Sequence, residues 1–181
     1  MKPDAIIIRH SECGLPESLL GYVNCPIINA GDGRHSHPTQ ALLDLFTMYE
    51  HFEGKVEGKR IAIIGDVRNS RVAGSNRRLL PRFGIEVSLV APDCFKYEND
   101  DFKQFNTIVE IIDEVDIIMS LRSQMERHNL TYFESLNEYA KDYCVTEELM
   151  GDRDILLLHP GPVNRNVDIS DEMLKDPRCK V

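Results

Sequence analysis

The sequence predicts an α/β protein with a three-layer αβα architecture around a doubly wound parallel sheet. Short, almost uninterrupted apolar runs end in polar or turn residues, as in AIIIRH, RIAIIGD, VDIIMSL and DILLLHP. Such runs are typical of parallel strands that are covered on both faces. Segments with helical periodicity lie between them, and this alternation indicates βαβ units. Hydrophobic residues make up 42% of the 181 positions, which is enough for a globular core.

The predicted elements alternate along the whole chain. The strands cover residues 5–10, 26–31, 60–66, 86–92, 115–121 and 154–160. The helices cover residues 38–52, 71–84, 107–115 and 132–143. Pro38 suits the first turn of its helix, because the N–H that proline lacks has no partner there. The polar segment 96–105 predicts a surface excursion.

Charge and cysteine content narrow the class of protein. The net charge of −9 disfavours binding to nucleic acids or membrane surfaces, so an anionic ligand needs a local cluster of arginines. The five cysteines are odd in number and form no CxxC pair, which predicts reduced thiols and neither disulfides nor a zinc site. We see no secretory signal pattern and no apolar run near the roughly 20 residues of a membrane span. We therefore expect a cytoplasmic protein.

Polar residues cluster directly after the predicted strands. In doubly wound sheets, ligands bind beyond the carboxyl ends of the strands. Arg9 lies at the carboxyl end of the first predicted strand. The corresponding segments at other predicted strand ends are 31–40, 65–75, 121–127 and 159–165. These places are rich in Arg, His, Asn and Gln, so they predict the functional site.

The segment HPTQ opens a helix and carries two candidate ligands. His37 and Gln40 are three positions apart and share a helix face. A helix N-terminus favours anions and developing negative charge, so this face suits a polarised carbonyl or a phosphate. The alternative is that His37 only caps the helix or packs against it.

The segment IAIIGDVRNSRVAGSN reads as strand, turn and helix. It lacks the GxGxxG fingerprint and the GK[ST] of a phosphate-binding loop, which weakens a nucleotide-binding interpretation. Arg71 could instead hold a carboxylate through two parallel hydrogen bonds. The alternative is a solvated arginine on an exposed helix.

Two further strand ends carry polar or rigid residues. Arg122 and Gln124 come directly after an apolar run, where side chains face the cleft. Pro160 and Gly161 belong to HPGPVNR, a rigid segment that holds backbone carbonyls ready to accept hydrogen bonds from an amine or amide. The alternative for this segment is a stiff connection without a ligand.

Taken together, HPTQ, GD followed by SRVAGSN, LRSQMER and HPGPVNR resemble the aspartate carbamoyltransferase family. The resemblance covers nearly the whole chain and is strongest to the simpler bacterial catalytic chains. The ornithine branch is disfavoured, because it shows an HCLP-type segment and a Trp/Ser-Met-Gly segment where this chain has HPGPVNR and LRSQMER.

The resemblance implies transfer of a carbamoyl group from carbamoyl phosphate to L-aspartate, the first committed step of pyrimidine synthesis. It implies no cofactor and no catalytic metal, because the amine of aspartate attacks the carbamoyl carbon directly. Carried over by motif, Arg9 contacts carbamoyl phosphate and His37 binds the carbonyl oxygen, so these two are the expected catalytic residues. Gln40 is expected to hold the carbamoyl amide.

The same resemblance assigns the aspartate side of the site. Arg71 and Arg122 are expected to clamp the two carboxylates of aspartate, with help from Gln124. The backbone carbonyls around Pro160 and Gly161 are expected to accept hydrogen bonds from the carbamoyl and amino nitrogens.

The sequence also departs from the family pattern. It contains no Ser-Thr-Arg-Thr-Arg segment, which in the family supplies a principal phosphate-binding arginine. We therefore expect residues 1–33 to be a remnant of the carbamoyl-phosphate-binding domain and residues 34–181 to be the aspartate-binding domain, without the final helix of the family. We expect the isolated chain to be inactive or weakly active.

Assembly is less open to prediction. The resemblance implies a homotrimer for the complete enzyme, and nothing in the sequence indicates whether a regulatory chain exists. The alternative to a carbamoyltransferase is a non-catalytic or fragmentary amino-acid-binding or assembly domain of the same fold.

Overall fold

The structure, a computed structural model, describes residues 2–98, 101–123 and 135–181. Within these ranges the strands are β1 Ile6–His10, β2 Ile27–Asp32, β3 Arg60–Ile64, β4 Glu86–Val90, β5 Lys103–Phe105, β6 Ile117–Ser120, β7 Leu156–Leu158 and β8 Cys179–Lys180. The α-helices in the same ranges are α1 Leu15–Ser18, α2 Pro38–His51, α3 Arg71–Leu79, α4 Leu136–Tyr143 and α5 Glu147–Met150.

The main sheet is parallel throughout, with six strands among the described residues in the order β5-β4-β3-β6-β7-β8. From β3 the chain builds outward through β4 and β5 and then returns, so that β6 pairs with the other side of β3. This reversal is the doubly wound topology, and the predicted α/β fold is confirmed. It places the carboxyl ends of β3 and β6 side by side, where ligands of such sheets bind.

The apolar runs that predict strands do so because they are buried. β6 is buried along its whole length, and every residue of β3 after Arg60 is buried as well. A strand covered on both faces cannot alternate apolar and polar residues, because one of its two faces would then place polar groups in the core.

The first two strands form a separate, smaller sheet. β1 and β2 are parallel, with Ile7 opposite Ile28, and Ile7 is 70% exposed. The connection to the main sheet runs through α2, which packs on α3. A Cβ added at Gly74 would lie 3.1 Å from the carbonyl oxygen of His35, so the approach of α3 to this loop requires a small residue.

Several predicted elements differ from the structure. β5 and β8 were not predicted, because they are short edge strands of three and two residues that pair with β4 and β7. The helix predicted at 107–115 is wrong: this segment forms two 3-10 turns, Ile108–Glu110 and Ile112–Glu114. Its isoleucines and valines are β-branched, which lowers helix propensity. No helix within the described ranges is long and apolar enough to cross a membrane.

Candidate active site

A cavity of about 170 Å³ opens beyond the carboxyl ends of β3 and β6. The predicted site residues that line it are Arg9, His37, Gln40, Arg71, Arg122, Pro160 and Gly161. The remaining lining residues are Gly33, Asp66, Asn69, Ser70, Val72, Leu121 and Pro162. Gln124 lies outside the described residues. The structure thus brings the described candidates to one place, while their roles stay predictions.

The two arginines expected to hold aspartate lie beyond the carboxyl ends of two adjacent strands, β3 and β6. Arg71 begins α3, and the Oγ atom of the preceding Ser70 caps this helix by accepting a hydrogen bond from the N–H of Ala73 at 3.2 Å. Arg122 follows β6, which pairs directly with β3. With Arg9 they give the cavity a concentration of positive charge, which the net charge of −9 for the whole chain does not suggest. Such a local cation cluster in a cleft attracts anions.

His37 stands at the junction between the β2 loop and α2. It occupies the N-cap position, yet its side chain makes no capping hydrogen bond in the described structure. Its backbone N–H instead donates to the Oγ atom of Ser75 on α3 at 2.8 Å, which ties the start of α2 to α3. His37 thus occupies the capping position that the alternative interpretation named, but its side chain does not cap the helix, and its imidazole lines the cavity.

The electrostatic surroundings keep His37 neutral. Burial, together with the positive charges of Arg71 and Arg9, lowers the pKa of its imidazole to about 4. Nη1 of Arg9 lies 3.4 Å from Nε2 of His37. A guanidinium can only donate, so Nε2 accepts in this contact and the proton is assigned to Nδ1, 3.3 Å from the hydroxyl of Thr39.

Gln40 is held from behind by a buried carboxylate. Its Nε2 atom donates to Oδ1 of Asp44 at 2.9 Å, and Nδ2 of Asn76 donates to Oδ2 of Asp44 at 2.7 Å. Burial raises the pKa of Asp44, and the hydrogen bonds from Asn76 and Gln40 oppose that rise. The carboxylate therefore joins the cavity-lining face of α2 to α3.

The rigid loop after β7 is anchored by a second buried carboxylate. Oδ2 of Asp168 lies 3.3 Å from Nε2 of His159 and accepts from the N–H of Asn164 at 2.8 Å. Its Oδ1 atom accepts from the N–H of Ser123 at 3.1 Å, directly after Arg122. Nδ1 of His159 accepts from the N–H of Gly161 at 2.9 Å, which assigns the imidazole proton to Nε2. Asp168 thus joins the loops that follow β6 and β7.

Sequence reasoning missed these supporting carboxylates. Asp44 is four residues after Gln40 on the same helix, so its spacing carried a usable signal. Asp168 carries no comparable signal, because its contact with the N–H of Ser123 joins loops that meet only in the fold. In the part of the chain that the structure describes, no group of three or more His, Cys, Asp or Glu residues is placed to hold a metal ion.

Comparison with known families agrees with this architecture. Residues 57–181 match the family described as aspartate/ornithine carbamoyltransferase, Asp/Orn binding domain, and residues 1–50 match the carbamoyl-P binding domain of the same family. The chain therefore belongs to the aspartate/ornithine carbamoyltransferase family, and the resemblance drawn from its motifs is confirmed.

The individual relatives carry the name aspartate carbamoyltransferase or its synonym aspartate transcarbamoylase. The chain is 82% identical over 181 residues to the aspartate carbamoyltransferase catalytic subunit of Aliarcobacter butzleri. This match covers the whole of this chain and 61% of that protein. The corresponding subunit of Campylobacter lari is 57% identical, with 62% of its length covered. A Trypanosoma cruzi aspartate transcarbamoylase, crystallised with carbamoyl aspartate and phosphate, superposes with a TM-score of 0.84 at 30% identity, over 97% of this chain and 60% of that one. The chain spans about three fifths of the length of these relatives.

Proposed function

We propose that this chain takes part in carbamoyl transfer from carbamoyl phosphate to L-aspartate and supplies mainly the aspartate-binding half of the site. The observation that carries this proposal is the convergence of three arginines, a neutral histidine and a glutamine on one cavity at the reversal of the sheet. A scaffold without ligands has no need for this set of side chains at a single strand-end cleft.

Two arginines that lie beyond the ends of neighbouring strands suit a dicarboxylic acid. Arg71 and Arg122 each offer a planar fork of N–H donors, the geometry that binds a carboxylate through two parallel hydrogen bonds. Aspartate carries two carboxylates and ornithine only one, so the pair favours aspartate. Its free amine then faces the carbamoyl carbon.

His37 and Arg9 act on the carbamoyl side. The lone pair of the aspartate amine attacks the carbamoyl carbon, the C–N bond forms, and the carbonyl oxygen gains negative charge. When the ligand binds, Arg9 turns from Nε2 of His37 to the ligand and supplies positive charge there, and the ring proton of neutral His37 moves from Nδ1 to Nε2. Nε2 then donates a hydrogen bond to that oxygen. The intermediate collapses as the bond from carbon to the phosphate oxygen breaks, and the amine loses a proton to the departing phosphate or to solvent. Much of the acceleration comes from holding two anions together in this geometry.

The loop after β7 receives the nitrogen groups. The carbonyls around Pro160 and Gly161 accept hydrogen bonds from the amine and the carbamoyl nitrogen, and Asp168 fixes their position through His159. Gln40 completes the carbamoyl contact.

A binding measurement tests the aspartate half directly. We expect aspartate to shift the NMR resonances around the cavity of the 181-residue chain. Arg122→Ala should weaken this binding by at least about tenfold, because a charge-assisted hydrogen bond contributes roughly 1.5–3 kcal/mol. Arg82→Ala is the matched control, since Arg82 is exposed on the 3-10 turn Leu80–Phe83 and does not line the cavity.

Two outcomes would contradict the assignment. Binding of ornithine as tightly as aspartate would remove the dicarboxylate argument, and unchanged binding in Arg122→Ala would support the non-catalytic alternative. We expect little or no carbamoyl-aspartate from this chain alone, with Arg71→Ala as the control in that assay. Turnover comparable to that of a complete enzyme would contradict this expectation.

The remaining features are proposals as well. We propose a division into a carbamoyl-phosphate-binding part at residues 1–33 and an aspartate-binding part at residues 34–181. A homotrimer rests on the family resemblance, and a cytoplasmic location rests on the cysteine pattern, which predicts reduced thiols. Sedimentation and cell fractionation of the protein test the last two.

A further inference from the structure

The cavity-lining amide of Gln40 has a buried partner that determines which of its two ends is available. Asp44 is one turn further along α2 and only 5% exposed. Both of its oxygens are bound to amide nitrogens, Oδ1 to Nε2 of Gln40 and Oδ2 to Nδ2 of Asn76. An ionised carboxylate can only accept hydrogen bonds, so each amide must turn its NH2 group toward it. The amide oxygen of Gln40 is then left for the cavity.

We propose that Asp44 is a positioning residue that fixes the amide of Gln40 with its oxygen presented to the cavity. A site built in this way accepts a hydrogen bond from an uncharged NH2 group. It selects a carbamoyl group over an acyl group of the same shape that carries a methyl instead. This inference deepens the proposed function and rests on it for the identity of the ligand.

Asn76 limits the hydrogen bonds around Asp44 to one orientation of the amide groups. Its Nδ2 atom also lies 3.2 Å from the carbonyl oxygen of Val72, one turn earlier on α3. Turning this amide over would lose that contact and place two oxygens together. Its Oδ1 atom is buried and has no hydrogen-bond partner among the described residues. The amide keeps this orientation although an acceptor is left unsatisfied, which indicates that its two Nδ2 contacts outweigh that cost. Asn76 therefore continues to offer an NH2 group to position 44, whatever amide or carboxylate stands there.

The substitution Asp44→Asn should reverse the amide of Gln40. Because Asn76 offers only its NH2 group, the new asparagine must turn its oxygen toward Asn76 and its NH2 group toward Gln40. The oxygen of Gln40 then turns inward and its NH2 group points into the cavity. Adding Gln40→Glu to this variant restores an acceptor at the cavity, because the introduced carboxylate accepts from the asparagine with one oxygen and presents the other.

The first readout is the side-chain amide of Gln40 in NMR spectra of the full 181-residue chain without any ligand. We expect its protons to exchange with solvent about tenfold more slowly in the unmodified chain than in Asp44→Asn, because the hydrogen bond to the buried carboxylate is lost. Identical exchange and identical shifts in both proteins would overturn the proposal.

The second readout is the ratio of the affinities for two dianions, carbamoyl phosphate and acetyl phosphate. Both are prepared freshly and measured at low temperature. We expect the unmodified chain to prefer carbamoyl phosphate by about tenfold, the contribution of one hydrogen bond to an otherwise unpaired acceptor. The preference should vanish in Asp44→Asn and return in the double variant Asp44→Asn with Gln40→Glu. Because the result is a ratio, any general loss of affinity or stability cancels.

Asp116→Asn is the matched control. Asp116 accepts from Nζ of Lys59 and from the N–H of Arg60 at the amino ends of β3 and β6, away from the cavity. This variant should keep the carbamoyl preference. If Asp44→Asn keeps it too, or if the double variant fails to regain it, Asp44 has only a structural role. If neither dianion binds to the unmodified chain while the amide of Gln40 behaves as expected, the carbamoyl-phosphate part of the proposed function fails for this chain and the positioning role stands.

Discussion

The guanidinium of Arg71 lies close to the backbone of Gly31. A Cβ added at Gly31 would lie 2.9 Å from Cζ, 3.0 Å from Nη1 and 3.1 Å from Nε of Arg71. Gly31 also has φ +117°, a region that residues with a side chain rarely adopt. The end of β2 thus supports an arginine that arrives from the start of α3, and only glycine leaves room for it.

Gly31→Ala should therefore damage the proposed aspartate side of the site. The added methyl group displaces the guanidinium, and we expect aspartate binding to weaken by about tenfold or more, as for loss of a charge-assisted hydrogen bond. The positive φ should also cost about 1–3 kcal/mol of stability. Aspartate titration and urea unfolding measure the two effects separately.

Gly21→Ala is the control for this prediction. Gly21 has no atom within 4 Å of an added Cβ and no positive φ. It should leave aspartate binding unchanged. Normal aspartate binding in Gly31→Ala would show that Arg71 does not need this support.

His37 makes a contribution to stability that depends on pH. Its pKa in the folded protein is about 4, against 6.5 for an ordinary histidine. Between these values the unfolded chain binds more protons than the folded one, so the free energy of unfolding falls as the pH falls from 6.5 to about 4. Above 6.5 the contribution is fully present.

His37→Asn should remove this dependence. Urea unfolding at a series of pH values should show a smaller loss of stability on acidification for the variant than for the unmodified chain. His51→Asn, which replaces an exposed histidine at the other end of α2, controls for the removal of any histidine. Parallel pH curves for His37→Asn and the unmodified chain would refute the low pKa.

Asp168→Ala should destabilise the protein strongly. It removes the acceptor for the N–H groups of Ser123 and Asn164 and for the imidazole of His159, which is fully buried. Buried donors left without partners cost about 1–3 kcal/mol each, so we expect a loss of roughly 3 kcal/mol or more. Chemical unfolding followed by circular dichroism measures it.

The neighbouring Asp171 supplies the comparison for Asp168. It forms an exposed ion pair with Arg165 at 2.6 Å, and exposed pairs contribute little. Asp171→Ala should therefore have a small effect. Equal losses for the two substitutions would show that Asp168 is not the anchor of these loops.

The fold follows closely from local patterns in the sequence. The runs at β3, β6 and β7 are almost entirely apolar because both faces of the sheet are covered, so a window of a few residues suffices to find them. The short edge strands β5 and β8 escape such a window, because their pairing depends on neighbours far away along the chain.

The sequence by itself determined which residues stand at the strand ends, and hence the candidates Arg9, His37, Gln40, Arg71 and Arg122. Tertiary structure alone decided how they are supported. Asp168 joins its own loop to that of Ser123, and Gly31 makes room for Arg71, although nothing beside either residue in the sequence indicates these distant partners. Strand ends are set by local hydrophobicity, whereas a hydrogen bond or a steric fit between distant segments exists only once the sheet reversal has brought them together.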